Sequence, residues 1–131
     1  MYTTVMIKLT TKLPASSTAV YTAWLDGEKH GAMTGGQATA SKKVGEKFTA
    51  WDGYISGKNL ELVPGKKIVQ TWRTTEFSDA DPDSILTIEL KATKTGTSLK
   101  LKHVGTPKNQ EASYREGWEE HYFAPMKEYF S

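Results

Sequence analysis

Apolar and polar residues alternate at the start of the chain with the period of a half-buried β-strand. The apolar positions are Val5, Ile7 and Leu9, and the positions between and beside them are Thr4, Met6, Lys8 and Thr10. This alternation predicts a first strand over about residues 4–10, with one face turned towards a core and the other towards water.

Six later stretches also have strand character. They span residues 38–43, 47–51, 54–62, 66–75, 84–92 and 97–104. In the last two, an apolar face is formed by Leu86, Ile88 and Leu90, and then by Leu99, Leu101 and His103. Asp52-Gly53, Pro64-Gly65 and Thr95-Gly96 supply the residues that tight turns need. Strands joined by such short turns are antiparallel neighbours, so we predict a meandering sheet with one apolar face and one wet face.

Between the first strand and this meander, the pattern predicts one short helix. Pro14 suits the first turn of a helix, and apolar residues then recur at helical spacing through Trp24 to about Asp26. Residues 27–36 contain His30, Met33 and four glycines without a sustained period. We predict that this segment is a mobile connection.

The end of the chain changes to the period of an amphipathic helix. One stripe contains Tyr114, Trp118, Tyr122, Met126 and Tyr129, with Phe123 and Phe130 beside it. The other side carries Arg115, Glu116, Glu119, Glu120, Lys127 and Glu128. Two starting points are possible, since Ser113 and Glu116 form a capping-box pair and Thr106-Pro107 suits an earlier start. Pro125 removes one backbone hydrogen bond and is expected to bend the helix.

These elements predict an α+β fold. A sheet of about six or seven strands must cover its apolar face, and the aromatic-rich final helix is the only predicted element long enough to do so. We therefore expect a curved antiparallel sheet to wrap around a long C-terminal helix. No linker, repeat or low-complexity tract interrupts the pattern, so residues 1–131 are predicted to form a single domain.

Composition narrows the possible partners and locations. The chain has a formal charge of +2, and Arg73 and Arg115 are its only arginines, which argues against nucleic-acid binding. The absence of cysteine excludes disulfides and thiolate metal sites. The first residues lack the pattern of a secretory signal and no window has the length of a membrane span, so we expect a cytoplasmic protein without membrane insertion.

No stretch of the chain carries a complete catalytic or metal-binding motif. Residues 79–83 begin like a calcium loop, but Ser84 replaces the glycine and Leu90 the glutamate that such a loop requires. In residues 53–57 the serine stands one place too late for a nucleophile elbow. The histidines, at 30, 103 and 121, are too scattered for a metal motif. We predict no cofactor and no metal.

Three stretches carry a resemblance to a known family. They are residues 52–57 (DGYISG), 60–73 (LELVPGKKIVQTWR) and 117–123 (GWEEHYF). In the sequence and order of these motifs, the chain resembles the homologues of the activator of the heat-shock-protein-90 ATPase. The resemblance extends from Ile7 to Phe130. This family is part of the START-like (SRPBCC) helix-grip superfamily. The resemblance implies the same fold that the periodicity predicts.

The resemblance also implies a cavity between the sheet and the final helix, because many members of the superfamily look like binders of hydrophobic small molecules there. The candidate ligand-binding residues are Trp24, Met33, Trp51, Tyr54, Trp72, His103, Trp118 and Tyr122. These aromatic residues, with a few polar groups from His103 and from His121, have the make-up of a ligand site. The alternative is that they only fill the core, with the histidines satisfied by neighbours.

Two other functions stay open. A protein-interaction module is implied by the family, and here a chaperone would meet the wet face of the sheet. That face is predicted to carry Lys42, Lys43, Lys47, Lys58, Lys66, Lys67, Lys100 and Lys102. A cyclase-like enzyme would use the same cavity, with His103 and either Arg73 or Tyr54 as acid and base.

Overall fold

The computed structural model describes residues 6–131 and contains a curved six-stranded antiparallel sheet. The strands are β1 (Met6–Leu13), β2 (Lys47–Ala50), β3 (Ile55–Val63), β4 (Lys67–Thr74), β5 (Ser84–Thr93) and β6 (Gly96–Val104). Their spatial order is β1-β6-β5-β4-β3-β2. The α+β helix-grip architecture is therefore confirmed. The predicted contributions of Thr4 and Val5 to the first strand lie outside the described residues.

Strand β1 closes one edge of the sheet against the last strand of the meander. Ile7 lies opposite His103, and Leu13 lies opposite Thr97. Strands β2 to β5 each pair with the next strand in sequence, in antiparallel orientation. The predicted strand over residues 38–43 is wrong, since that segment makes only one bridge, between Thr39 and Thr49. Its carbonyls at residues 41 and 43 accept hydrogen bonds from the Asn59 side chain instead of a neighbouring strand.

Two short helices, rather than one helix and a mobile connection, follow β1. Helix α1 (Ser17–Trp24) is capped by the Ser16 side chain, so Pro14 precedes the helix instead of starting it. Helix α2 (Gly27–Thr34) is capped by Asp26 and ends at Gly35 in the left-handed conformation. The segment is helical rather than irregular, because the Asp26 cap, the Gly35 cap and the burial of His30 and Met33 outweigh the cost of glycine within a helix. Here a side chain at Gly27 would meet the Ala38 carbonyl oxygen at 2.9 Å.

The C-terminal helix runs in three parts, with a wide turn between two α-helical segments. These parts are α3 (Glu111–Gly117), a π turn (Trp118–Phe123) and α4 (Ala124–Tyr129), preceded by a 3₁₀ turn (Lys108–Gln110). The start follows Pro107, close to the earlier of the two predicted starts, and Ser113 lies inside α3. Pro125 lies just after the π turn. The wider turn accommodates the missing N–H of proline.

The C-terminal helix and α1 bury their apolar sides against the concave face of the sheet. Tyr114, Trp118, Tyr122 and Met126 are buried, but Tyr129 is 41 % exposed, so the predicted stripe ends one turn early. On the sheet, the inward side chains include Ile7, Leu86, Ile88, Leu99 and Leu101. Within residues 6–131, no helix combines the length and the apolar character needed to cross a bilayer.

Candidate functional site

A cavity of about 530 Å³ opens between the C-terminal helix and the β2–β3 side of the sheet. Its walls contain six aromatic side chains, namely Trp51, Tyr54, Trp72, Tyr114, Trp118 and Tyr122. Three of them come from the C-terminal helix at the spacing i, i+4 and i+8, which places them on one face. The other three come from the β2–β3 turn and from β4. The cavity thus forms where the sheet curves away from the helix.

The structure brings five of the eight predicted ligand residues to this cavity. They are Trp51, Tyr54, Trp72, Trp118 and Tyr122. Trp24, Met33 and His103 are buried in the core and do not line it. Sequence reasoning missed Ile55, Tyr114 and the two carboxylates Glu116 and Glu120 on the rim. The helical spacing from Tyr114 to Trp118 was the signal that could have identified the tyrosine.

The mouth of the cavity is formed by a turn with unusual backbone geometry. Trp51 and Asp52 have φ angles of 51° and 59°, a left-handed conformation that non-glycine residues seldom adopt. Gln37 holds this turn, since its carbonyl accepts a bond from the Asp52 N–H and its N–H donates to Asp52 Oδ1, both at 2.9 Å. The Trp51 ring then packs edge-on against His121 at 5.6 Å. Neighbouring contacts therefore maintain a strained turn at the entrance, as is common at functional sites.

His103 lies behind the cavity wall as a neutral core residue. Trp118 Nε1 donates to His103 Nδ1 at 3.1 Å, while Nε2 faces Ser84 Oγ at 2.8 Å. The Ser84 hydroxyl in turn donates to the Trp72 carbonyl at 2.6 Å. The proton of the neutral ring must therefore sit on Nε2. Burial lowers the pKa of His103 to about 3.

His30 has a comparable role on the other side of Tyr122. Its Nδ1 donates to the Trp24 carbonyl at 2.9 Å, so Nε2 accepts from the Tyr122 hydroxyl, also at 2.9 Å. Burial lowers the pKa of His30, partly offset by the backbone hydrogen bond to Trp24. By contrast, His121 is exposed at the cavity rim. Of the two histidines expected in the grip, His103 is thus a satisfied core residue and only His121 faces the cavity.

The hydroxyl groups of the remaining lining tyrosines are also engaged. Tyr54 donates to the Glu76 carboxylate, and Tyr114 donates to Gln110 Oε1 at 2.5 Å while lying 2.6 Å from Thr74 Oγ1. Burial, followed by the hydrogen bond to Glu76, raises the pKa of Tyr54. The hydroxyl groups of these tyrosines are therefore bound to protein groups, and the residues contribute aromatic surface to the lining.

The acid–base pairs suggested by the sequence are not assembled. His103 is fully buried with both ring nitrogens bonded, and the Arg73 guanidinium lies against the Asp83 carboxylate at 2.8 Å and the carbonyls of Ser78 and Asp81. The same contacts stabilise the acidic loop over residues 79–83. Among residues 6–131, histidine and carboxylate side chains form no group of three that would suit a metal ion.

A protein-family model described as "Activator of Hsp90 ATPase homolog 1-like protein" matches residues 14–131. The chain belongs to this family. It is 32 % identical over 130 residues to an activator of 90 kDa heat shock protein ATPase homolog from Dictyostelium discoideum, and this alignment covers 98 % of the chain but 34 % of the relative. It is 37 % identical over 101 residues to the human activator of 90 kDa heat shock protein ATPase homolog 1. This alignment covers 76 % of the chain and 29 % of the relative.

Solved structures show the same fold. An HSP90 activator from Plasmodium falciparum superimposes with a TM-score of 0.78 at 24 % identity, covering 91 % of this chain and 90 % of that one. At that level of identity, the match supports the architecture alone. The chain spans about a third of the length of the curated relatives that it matches.

Proposed function

We propose that the protein binds a small apolar or aromatic molecule in the cavity between the sheet and the C-terminal helix. The observation that carries this proposal is the set of six aromatic side chains around a space of about 530 Å³. This volume lies within the roughly 300–1,000 Å³ that is common for ligand pockets. Aromatic walls stabilise a bound ring by burial of apolar surface and by stacking.

The neutral fluorescent probe N-phenyl-1-naphthylamine tests this proposal. Binding is expected to increase its emission and to shift the NMR signals of the Trp51, Trp72 and Trp118 indoles. A Ser113→Phe variant places a ring at the lining and should weaken binding at least tenfold. The control is Ala112→Phe, which adds the same ring at an exposed neighbouring position that does not line the cavity. Unchanged indole signals at saturating probe would contradict the proposal.

A second candidate is a contact with a chaperone of the 90-kDa heat-shock class, favoured by the names of the relatives, which describe activators of its ATPase. The feature of this chain that suits such a contact is the outer face of the sheet. There, Lys8 of β1 lies directly opposite Lys102 of β6, with Lys100 and Lys12 on the same side. Like charges placed opposite each other are destabilising on their own, so an acidic partner surface would relieve the repulsion.

Stimulation of ATP hydrolysis by a purified 90-kDa heat-shock protein tests this second candidate. The double variant Lys8→Glu with Lys102→Glu should reduce any stimulation, and the effect should be larger at low salt. The matched control is Lys108→Glu with Lys127→Glu, which makes the same change in net charge at exposed positions on the helical side. Equal stimulation by both double variants would exclude the lysine-bearing face as the contact.

A further inference from the structure

The cavity differs in charge from the chain as a whole. Although the formal net charge is +2, the charged lining residues are Glu116 and Glu120, and the lining contains no lysine or arginine. Arg115, the nearest cation in sequence, is paired with Glu111 at 3.1 Å. Within residues 6–131, neither rim glutamate lies in an ion pair. The full charges on the lining are therefore both negative.

Four hydrogen-bond donors of the walls are already used inside the protein. The indole N–H of Trp118 goes to His103, and the hydroxyls of Tyr54, Tyr114 and Tyr122 go to Glu76, Gln110 and His30, respectively. An anionic ligand would thus gain none of these four donors in return for its lost hydration. The lining is otherwise largely aromatic, and the face of an aromatic ring carries the negative end of its quadrupole.

We propose that the natural ligand of this cavity is an organic cation, with an ammonium group attached to an aromatic or apolar body. This inference rests on the proposed ligand-binding function and adds the charge of the ligand. The apolar body would lie among Trp72, Trp118 and Tyr122, and the ammonium group would lie near the rim, between an aromatic face and Glu116 or Glu120. An ammonium group that carries only alkyl substituents needs no hydrogen-bond acceptor, which suits walls of this kind.

Three probes of similar size test the sign of the charge. They are benzyltrimethylammonium, its uncharged carbon isostere neopentylbenzene, and phenylmethanesulfonate, each titrated while the tryptophan indole signals are followed by NMR. We expect the cation to bind about tenfold more tightly than the isostere, and the anion to bind most weakly. Equal affinities for all three would overturn the charge preference but leave the ligand-binding function in place. Binding of none, together with no response to N-phenyl-1-naphthylamine, would overturn both.

Variants of the rim separate attraction by the carboxylates from attraction by the rings. The double variant Glu116→Gln with Glu120→Gln should weaken binding of benzyltrimethylammonium about three- to fivefold and leave the isostere unchanged, as expected for exposed charges. The matched control is Glu119→Gln with Glu128→Gln, two exposed carboxylates of the same helix that do not line the cavity. Equal weakening by both double variants would attribute the effect to net charge and contradict a rim site.

A trimethylammonium group also occurs on lipid headgroups. Flotation with phosphatidylcholine vesicles distinguishes the two sources of the same chemistry. Co-flotation that the Glu116→Gln, Glu120→Gln variant abolishes would assign the cation to a lipid headgroup. Binding of benzyltrimethylammonium without flotation would assign it to a soluble molecule. Flotation that both the rim variant and its control retain, with no binding of the soluble cation, would contradict the proposal.

Discussion

His103 illustrates how a polar side chain can be kept at the centre of an apolar core. Its Nδ1 accepts from the Trp118 indole and its Nε2 donates to Ser84, whose own hydroxyl proton goes to the backbone of Trp72. Each of these buried side-chain polar atoms has a partner, so the desolvation cost is offset. The arrangement also orients the Trp118 indole, and the His103 ring packs edge-on against Trp72 at 4.5 Å. The histidine thus supports the cavity wall without lining the cavity.

At this scale, we predict that Ser84→Ala lowers the free energy of unfolding by about 1–3 kcal/mol, because the Nε2–H group of His103 loses its acceptor in a site without water access. Urea unfolding at pH 7.5 measures the change. The control is Ser98→Ala on β6, a partly exposed serine on the outer face, where a change within about 0.5 kcal/mol is expected. Equal effects of the two substitutions would show that the His103 contact contributes nothing.

The C-terminal helix is the element that decides whether there is a cavity. Its π turn begins at Trp118 and ends just before α4 and Pro125, which cannot donate a backbone hydrogen bond. An extra residue in one turn changes the direction in which later side chains point. In this helix, Tyr122 and Phe123 are buried within the turn and Met126 is buried beyond it, although a regular period would have placed Tyr129 inward as well.

Two glycines allow opposite predictions about these elements. Gly117 has φ near −60° at the start of the π turn, and a methyl group there would come no closer than 4.0 Å to a side chain, so Gly117→Ala should stabilise the protein by about 0.5–1 kcal/mol. In β3, a methyl group at Gly57 would lie 1.9 Å from the Thr71 carbonyl oxygen. Gly57→Ala should therefore destabilise by about 3 kcal/mol or more.

Thermal and urea unfolding of both variants measure these opposite shifts. The Tm of the Gly117→Ala variant should be higher than that of the wild-type protein. The Tm of the Gly57→Ala variant should be lower, or that variant should not accumulate as folded protein. A stable Gly57→Ala protein would mean that β3 and β4 can separate at this point. A destabilised Gly117→Ala protein would mean that the π turn requires glycine for a reason other than space.

On the scale of the whole molecule, buried hydrogen bonds connect the helical layer to the sheet and to the long segment before β2. Trp24 Nε1 donates to Gln70, Gln70 donates to Asn59, and Asn59 donates to the carbonyls of Ser41 and Lys43. His30 and His103 add two more links, from α2 to Tyr122 and from β6 to Trp118. The neutral state of both histidines is therefore a condition for the assembled layers.

We predict that acid weakens the fold through these two histidines. Their pKa values are lowered in the folded protein from 6.5, and that of His103 falls to about 3. Below pH 6.5 the unfolded chain therefore binds more protons than the folded protein does. Stability should be fully present above pH 6.5 and should fall by up to about 1.4 kcal/mol per pH unit for each histidine, for His103 until about pH 3.

Urea unfolding between pH 7.5 and pH 4.5 measures this slope. The His30→Gln variant should roughly halve the slope below pH 6.5, because one of the two buried imidazoles is removed while an amide can still form hydrogen bonds. The difference in stability between this variant and the wild-type protein at pH 7.5 measures the effect of the substitution when both histidines are neutral. Constant stability from pH 7.5 to pH 4.5 would contradict neutral burial of both rings.

Some residues of the site could be predicted from the sequence, and others could not. The spacing of Trp118 and Tyr122 placed both on the inner face of the final helix, and strand alternation placed His103 inward. However, periodicity cannot say whether an inward residue meets a cavity or close packing. Trp24 and Met33 were therefore grouped with Trp118, although the structure buries them away from the cavity.

The sequence by itself determined the local choices in this protein, because alternation, helical period and turn residues act between near neighbours in the chain. From these alone followed the six observed strands, the antiparallel order of β2 to β6, and the final helix. Only the tertiary structure decided what depends on distant contacts: the pairing of β1 with β6, the helical state of the glycine-containing segment α2, and the cavity. These features arise from packing between segments far apart in sequence, and no local pattern encodes how completely two such surfaces fill the space between them.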